Sequence, residues 1–280
     1  MKQEPSWEWQ EIPAEPAQKH PPRRSPLRMV LALMLAASLL GLGVLWLQRY
    51  RAKRAYDKLQ QNNRPTSSAG QSASSAASQP QAELQNPVAF DELKKKNADT
   101  YAWIYIPGTK VDYPMLQNAQ FTDYYLEHTF DRSYGLPGAI YTRNDTAKDF
   151  SDPCTIVYGH NMKDDSMFGS LHDYEKQRFF KDPANRTIET YTPDAIRRWT
   201  IFAAVEYSDV LLTAAYDFAD PQQKLAFVES LRSCRGHFDA GVPVTETDRL
   251  IVLSTCIGGK ETSRYLVVGV LTEEQTEAAR

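Results

Sequence analysis

Hydrophobic and polar positions follow four rhythms in turn along this chain. Residues 1–26 scatter Trp7 and Trp9 among Pro13, Pro16, Pro21, Pro22 and Pro26 with no helical or strand period, which reads as a disordered tail. Met29 to Leu47 is then one uncharged apolar run of Leu, Ala, Val and Met. As a helix rising about 1.5 Å per residue it nearly crosses a hydrocarbon core of about 30 Å. It exceeds the apolar region of a cleavable signal peptide, about 7–15 residues, and no small-x-small site closes it. The expectation is an uncleaved anchor over residues 27–50, with Trp46 and Tyr50 suited to one interface. Tyr56 to Leu59 can continue the helix. Residues 62–81 are mostly Ser, Ala, Gln, Asn and Pro, so 51–86 is expected to be a flexible spacer.

From Pro87 the pattern changes to short apolar runs broken by turn residues. Phe90 and Leu93 beside Lys94-Lys95-Lys96 predict a short amphipathic helix. Extended segments are predicted at Tyr101–Ile106, Val111–Leu116, Gly138–Tyr141, Thr155–Tyr158, Arg186–Tyr191, Trp199–Tyr207, Leu250–Ser254 and Tyr265–Leu271. Pro107-Gly108 is a turn, and Pro114 marks an edge or bulge. Gln222–Ser233, after Pro221, has helical spacing in Leu225, Phe227, Val228 and Leu231. Short strands with helical inserts predict a mainly β domain, a closed or nearly closed barrel, over residues 87–272, with 273–280 as a tail. Regular strand–helix alternation is missing, which argues against a Rossmann sheet.

Composition narrows the function. The 280 residues carry a formal charge of −3. That balance gives no case for nucleic-acid binding. Arg23, Arg24 and Arg28 before the apolar run nearly balance Arg49, Arg51, Lys53 and Arg54 after it, so charge does not set its orientation. Cys154, Cys234 and Cys256 form neither a C-x-x-C pair nor a zinc-type cluster, and a Cys154–Cys234 disulfide rests on arithmetic alone. His128, His172 and His237 are expected at the surface or in loops. No His pair has metal-ligand spacing, so neither metal nor cofactor is expected.

The candidate chemistry sits where two apolar runs stop. Leu250-Ile251-Val252-Leu253-Ser254-Thr255-Cys256 ends a strand in a small polar pair and a thiol. Ile156-Val157-Tyr158-Gly159-His160 ends another in an imidazole, with Gly159 expected to relax the backbone there. Most free cysteines are small buried hydrophobes and most lone histidines are structural. A Cys–His couple is nevertheless the minimum for thiol acyl transfer. Arg264 opens the strand after the cysteine. If the two strands form a hairpin, it stands beside the thiol, a permanent cation for an oxyanion.

In this order, the Thr-Cys strand, the Gly-His strand and the downstream Arg resemble a sortase. Class B is indicated by Trp103-Ile104-Tyr105-Ile106-Pro107-Gly108-Thr109, Asp112-Tyr113-Pro114, Tyr158-Gly159-His160-Asn161-Met162-Lys163 and Ser166-Met167-Phe168-Gly169-Ser170-Leu171. The helix-bearing insert before the cysteine strand points the same way. The resemblance covers about residues 88–272. It implies a closed eight-stranded sortase barrel behind a single N-terminal transmembrane helix, with the catalytic domain outside the cell membrane and the tail cytoplasmic. It implies a cysteine transpeptidase that cleaves a C-terminal sorting motif of surface proteins after Thr. The acyl group passes through a thioacyl-enzyme to an amine of a peptidoglycan precursor or a pilin. Cys256 would be the nucleophile, His160 the acid and base, and Arg264 the oxyanion or substrate-backbone holder. Ser254 and Thr255 would line the motif pocket, with the segment from about Tyr207 to Thr247. Some class B members carry an acidic residue two positions after the cysteine. Gly258 stands there, so no Asp is assigned, although Asp152, Asp164 and Asp165 flank the histidine motif. A membrane-tethered cysteine protease and a non-catalytic surface assembly module are the alternatives.

Overall fold

The computed structural model describes residues 26–63 and 86–276. The expected N-terminal tail up to residue 25, spacer residues 64–85 and the last four residues lie outside the described residues. Two units are distinguished, one ending at Leu47 and one beginning at Gln48. In the first, helix α1 (Pro26–Asn63) runs through the apolar segment, and its large apolar side chains from Met29 to Leu47 are exposed. This helix is long and apolar enough to cross a membrane.

In the second unit α1 continues to Asn63, past the point where a spacer was expected to begin. The reason is a stripe at helical spacing: Tyr56, Leu59 and Asn63 share a face and are buried. The Tyr56 hydroxyl donates to the Gly138 carbonyl at 2.7 Å and accepts from the Phe130 N–H at 3.0 Å. Asn63 accepts from the Ala89 N–H at 3.2 Å, which fastens the helix end to the start of the next segment.

α2 (Phe90–Lys96) buries Phe90 and Leu93 and leaves its lysines outside. The strands come next: β1 (Thr100–Tyr105), β2 (Asp112–Leu116), β3 (Ile140–Tyr141), β4 (Cys154–Tyr158), then, after helix α3 (Gln177–Lys181), β5 (Thr187–Thr192) and β6 (Ala195–Ser208). Helices α4 (Leu212–Ala215) and α5 (Pro221–Arg232) lead to β7 (Gly236–Phe238), and β8 (Leu250–Ile257) and β9 (Lys260–Thr276) end the chain. The sheet order β5-β1-β2-β3-β4-β8-β9-β6 returns to β5 through a β5–β6 pairing. Eight strands therefore close a barrel, and β7 hangs from β6 as a ninth.

Inside lie Trp103 and Trp199, both fully buried. Their indole N–H groups are spent on Asp112 (2.8 Å) and Thr190 (2.9 Å), as burial requires. Gly108 at φ +76° makes the β1–β2 turn, and a Cβ there would sit 2.1 Å from the Asn185 side-chain oxygen. Pro114 pairs with Trp103 on the β1 side, while β3 meets β2 only at Met115 and Leu116, so the proline occupies a locally open edge. The last two strands are longer than their apolar cores. β9 runs on past residue 272, where a tail was expected, because Glu273 and Glu274 pair with Arg198, Arg197 and Arg249.

α5 is capped by Asp220, with Pro221 first, and buries Phe227, Val228 and Leu231 on a second apolar layer outside the barrel wall. Lys224, 2% exposed, donates to the carbonyls of Glu246 and Asp248 and ties α5 to the approach to β8.

Tyr56→Phe strands the Gly138 carbonyl and the Phe130 N–H. It is expected to lower unfolding stability by about 1–3 kcal/mol. The check is urea unfolding of the detergent-solubilised chain by tryptophan fluorescence; a midpoint equal to wild type would refute the tie.

Candidate active site

Strand parity decides what the cysteine strand presents. Val157, Ile251, Leu253, Tyr265 and Val267 belong to the barrel's inner cluster. Cys154, Ile156, Leu250, Val252, Leu266 and Val268 belong to the outer layer under α5. Successive side chains point to opposite faces, so Cys256 continues the outer row of Leu250, Val252 and Ser254. Arg264 precedes Leu266 and Val268 in the outer row of β9.

Register decides the level. β4 runs parallel to β8 with Tyr158 opposite Ser254, so His160, two residues on, comes out level with Cys256. β8 runs antiparallel to β9 with Cys256 opposite Arg264, and Tyr207 of β6 lies opposite Arg264. His160, Cys256, Arg264 and Tyr207 thus form a row across neighbouring strands at one end of the barrel.

The thiol of Cys256 is exposed, Cys154 is buried and Cys234 is partly buried; all three are free, with no Cys154–Cys234 disulfide. Burial pushes the Cys154 and Cys234 thiols up from their ordinary values, which makes them poor nucleophiles.

The half-buried His160 is held by main chain. Its Nε2 lies 2.7 Å from the Leu126 carbonyl. A carbonyl only accepts, so Nε2 carries a hydrogen and Nδ1 is the nitrogen left for chemistry. Gly138, at φ +64°, backs the ring, and a Cβ there would stand 3.1 Å from His160 Cδ2. The Leu126 carbonyl orients the ring here, as a carboxylate does in Ser-His-Asp triads. Asp152 accepts from the Ala147 N–H, Asp164 from Ser166, and Asp165 pairs with Lys110. Gly159 serves space, not backbone relaxation. A Cβ there would stand 2.5 Å from Ile140 and 2.8 Å from the Phe168 ring.

Arg264 curls over its own hairpin, donating to the carbonyls of Glu261 (3.2 Å) and Ser263 (3.0 Å). Ser254 shares the thiol's face but is 8% exposed. Thr255, 2% exposed, faces inward and donates its hydroxyl to the Gly159 carbonyl at 2.8 Å. Thr255, expected to line a motif pocket, locks β8 to the end of β4. The segment from Tyr207 to Thr247 roofs the outer layer. Its cavity of about 320 Å³, lined by Leu225, Val228, Arg232, Phe238, Val242 and Val244, includes none of Cys256, His160 or Arg264.

Two side chains at the site escaped the sequence reading. Asn161 donates to the Cys256 carbonyl at 3.0 Å, and His172, expected at the surface or in a loop, is half-buried with Nε2 3.1 Å from the same oxygen. Asn161 adjoins His160 and could have been suspected; nothing near His172 in sequence announces the contact. His128 stacks on Tyr124 and His237 on Phe180. Among the described residues no group of His, Cys, Asp or Glu could hold a metal ion.

A family model for the Sortase domain matches residues 104–272. Sortase B of Listeria monocytogenes is 33% identical over 188 residues, covering 64% of this chain and 72% of that protein. Sortase B of Staphylococcus aureus is 31% identical over 182 residues, with 64% of this chain and 72% of that protein covered. The solved Staphylococcus aureus sortase B–substrate complex superposes with a TM-score of 0.65 at 27% identity, covering 81% of this chain and 99% of the other. With this barrel and these matches, the chain belongs to the sortase family, among the class B sortases, and is a cysteine transpeptidase.

Proposed function

We propose that this enzyme cleaves a Pro- and Thr-containing sorting motif near the C-terminus of surface proteins, after Thr, and joins the acyl part to an amine of a cell-wall precursor or a pilin. The observation that carries the reading is the register: Cys256 opposite Arg264, with His160 level on the parallel neighbour. The Cys256 thiol gives its proton to His160 Nδ1 as the sulfur adds to the carbonyl carbon after Thr. Arg264, released from its hairpin carbonyls, donates to the resulting oxyanion. His160 protonates the leaving nitrogen as the C–N bond breaks, leaving a thioester. The incoming amine adds to the thioester, gives a proton to His160, and the sulfur departs.

The apolar part of α1 anchors the enzyme in the cell membrane, with the tail before it cytoplasmic and the barrel domain outside. The flanking positive charges nearly balance. The extracellular placement therefore rests on the chemistry, because wall precursors, pilins and surface proteins are joined there.

Cys256→Ala is expected to abolish cleavage of sorting-motif peptides. Arg264→Lys is expected to lower kcat/KM by about 10²–10³-fold, the size of a lost oxyanion donor. In wild type, an added amine diverts product from hydrolysis to transfer; hydrolysis insensitive to amine would instead mark a tethered protease. A membrane-impermeant maleimide added to intact cells is expected to label Cys256 and spare Cys154. Cys256 left unlabelled, or labelled no faster than Cys234, would count against both the exposed nucleophile and the outward-facing domain.

A further inference from the structure

Beyond the catalytic row, the backbone of Cys256 is fastened by side chains that touch no reacting atom. The parallel ladder with β4 ends at Tyr158–Ser254, and the register with β9 shifts between Cys256 and Ile257. At that point two side-chain nitrogens stand against the Cys256 carbonyl. Asn161 Nδ2 lies at 3.0 Å and His172 Nε2 at 3.1 Å, and these nitrogens are 3.0 Å from each other. His172 Nδ1 is 2.6 Å from Glu175 Oε1, so it carries a hydrogen and donates to that carboxylate. The imidazole plane is fixed by stacking on Tyr265, at 4.8 Å between centroids and 22°. Tyr265 is the register partner of Thr255, the residue before the cysteine.

We propose that Asn161, His172 and Glu175 form a positioning relay that sets the Cys256 main chain, and through it the place of the thiol in the row. The proposal rests on the reading of Cys256 as the nucleophile. Glu175 aims the ring and the ring meets the carbonyl. Neutral His172 accepts from one Asn161 N–H while the other holds the Cys256 oxygen. Protonated His172 donates to that oxygen itself. In both forms the carbonyl stays tethered where the ladder has run out. A nucleophile displaced by about 1 Å can lose a hundredfold in rate, so the strand end needs such a tether.

The test uses the full chain in detergent and two readouts: kcat and KM on a sorting-motif peptide, and the rate at which iodoacetamide alkylates Cys256, measured by peptide mass. His172→Phe keeps a ring over Tyr265 and removes both nitrogens. It is expected to lower kcat about tenfold and to slow alkylation about threefold or more, with KM within about twofold. His172→Gln returns an amide to the place of Nε2 and is expected to recover kcat to within about threefold of wild type. Glu175 is an exposed carboxylate, so Glu175→Ala leaves the fold intact; its kcat is expected to fall about two- to threefold at an unchanged urea midpoint. A Phe variant equal to wild type in both readouts overturns the relay. So does a Gln variant as slow as Phe, or a Glu175→Ala variant with wild-type kcat. Wild type that turns over no sorting-motif peptide sinks the substrate reading instead, and alkylation still tests the relay.

Discussion

The end of the barrel that carries His160 and Cys256 depends on one parallel strand pair. β4 and β8 run side by side in register from Cys154–Leu250 to Tyr158–Ser254. The ladder ends at Tyr158–Ser254 while β8 runs on to Ile257, so the residue two past the end of β4, His160, comes out level with Cys256 on β8. A parallel pair cannot be joined by a tight turn. The residues between them must leave and return, and in doing so they supply β5, β6 and β7 and the α5 roof. A one-residue slip of β8 would turn Cys256 inward and bring Thr255 out. The register is protected by near-complete burial of both faces of β8, barrel interior on one side and the α5 layer on the other.

Where the ladders end, main-chain atoms and side chains take over. The Leu126 carbonyl holds His160, the Thr255 hydroxyl holds Gly159, and Asn161 holds the Cys256 carbonyl with His172 beside it. The acidic residue absent at Gly258 is thus not replaced by another carboxylate. A backbone oxygen fixes the histidine's orientation without adding a charge beside the thiol. Arg264 is held by two carbonyls of its own hairpin.

The continuation of α1 links to the same end of the molecule. Tyr56 bonds the Gly138 carbonyl, and Gly138 stands against the ring of His160. Residues that read as the start of a tether are therefore part of the wall behind His160. Seen singly, Tyr56 and Leu59 are two apolar positions before a polar stretch; their burial requires the loop from Phe130 to Gly138, distant in sequence.

The sequence by itself determined the elements whose cause is local. The apolar run specified a helix long and apolar enough to cross a membrane, alternation specified the strands, and Pro221 marked the start of α5. It also placed Cys256 and His160 where apolar runs stop, because such a run must deliver its next residues to the rim, whereas Arg264, expected to open its strand, lies inside β9, which begins at Lys260. Only the tertiary structure decided which strand ends meet. It also decided that Thr255 faces inward, that α1 runs on to Asn63 and that β9 outlasts its apolar core. His172 was invisible for the same reason. Its partners, the Cys256 carbonyl and the Tyr265 ring, lie on strands that only barrel closure brings to it, and a hydrogen bond to a distant main-chain oxygen leaves no mark on the residues around it.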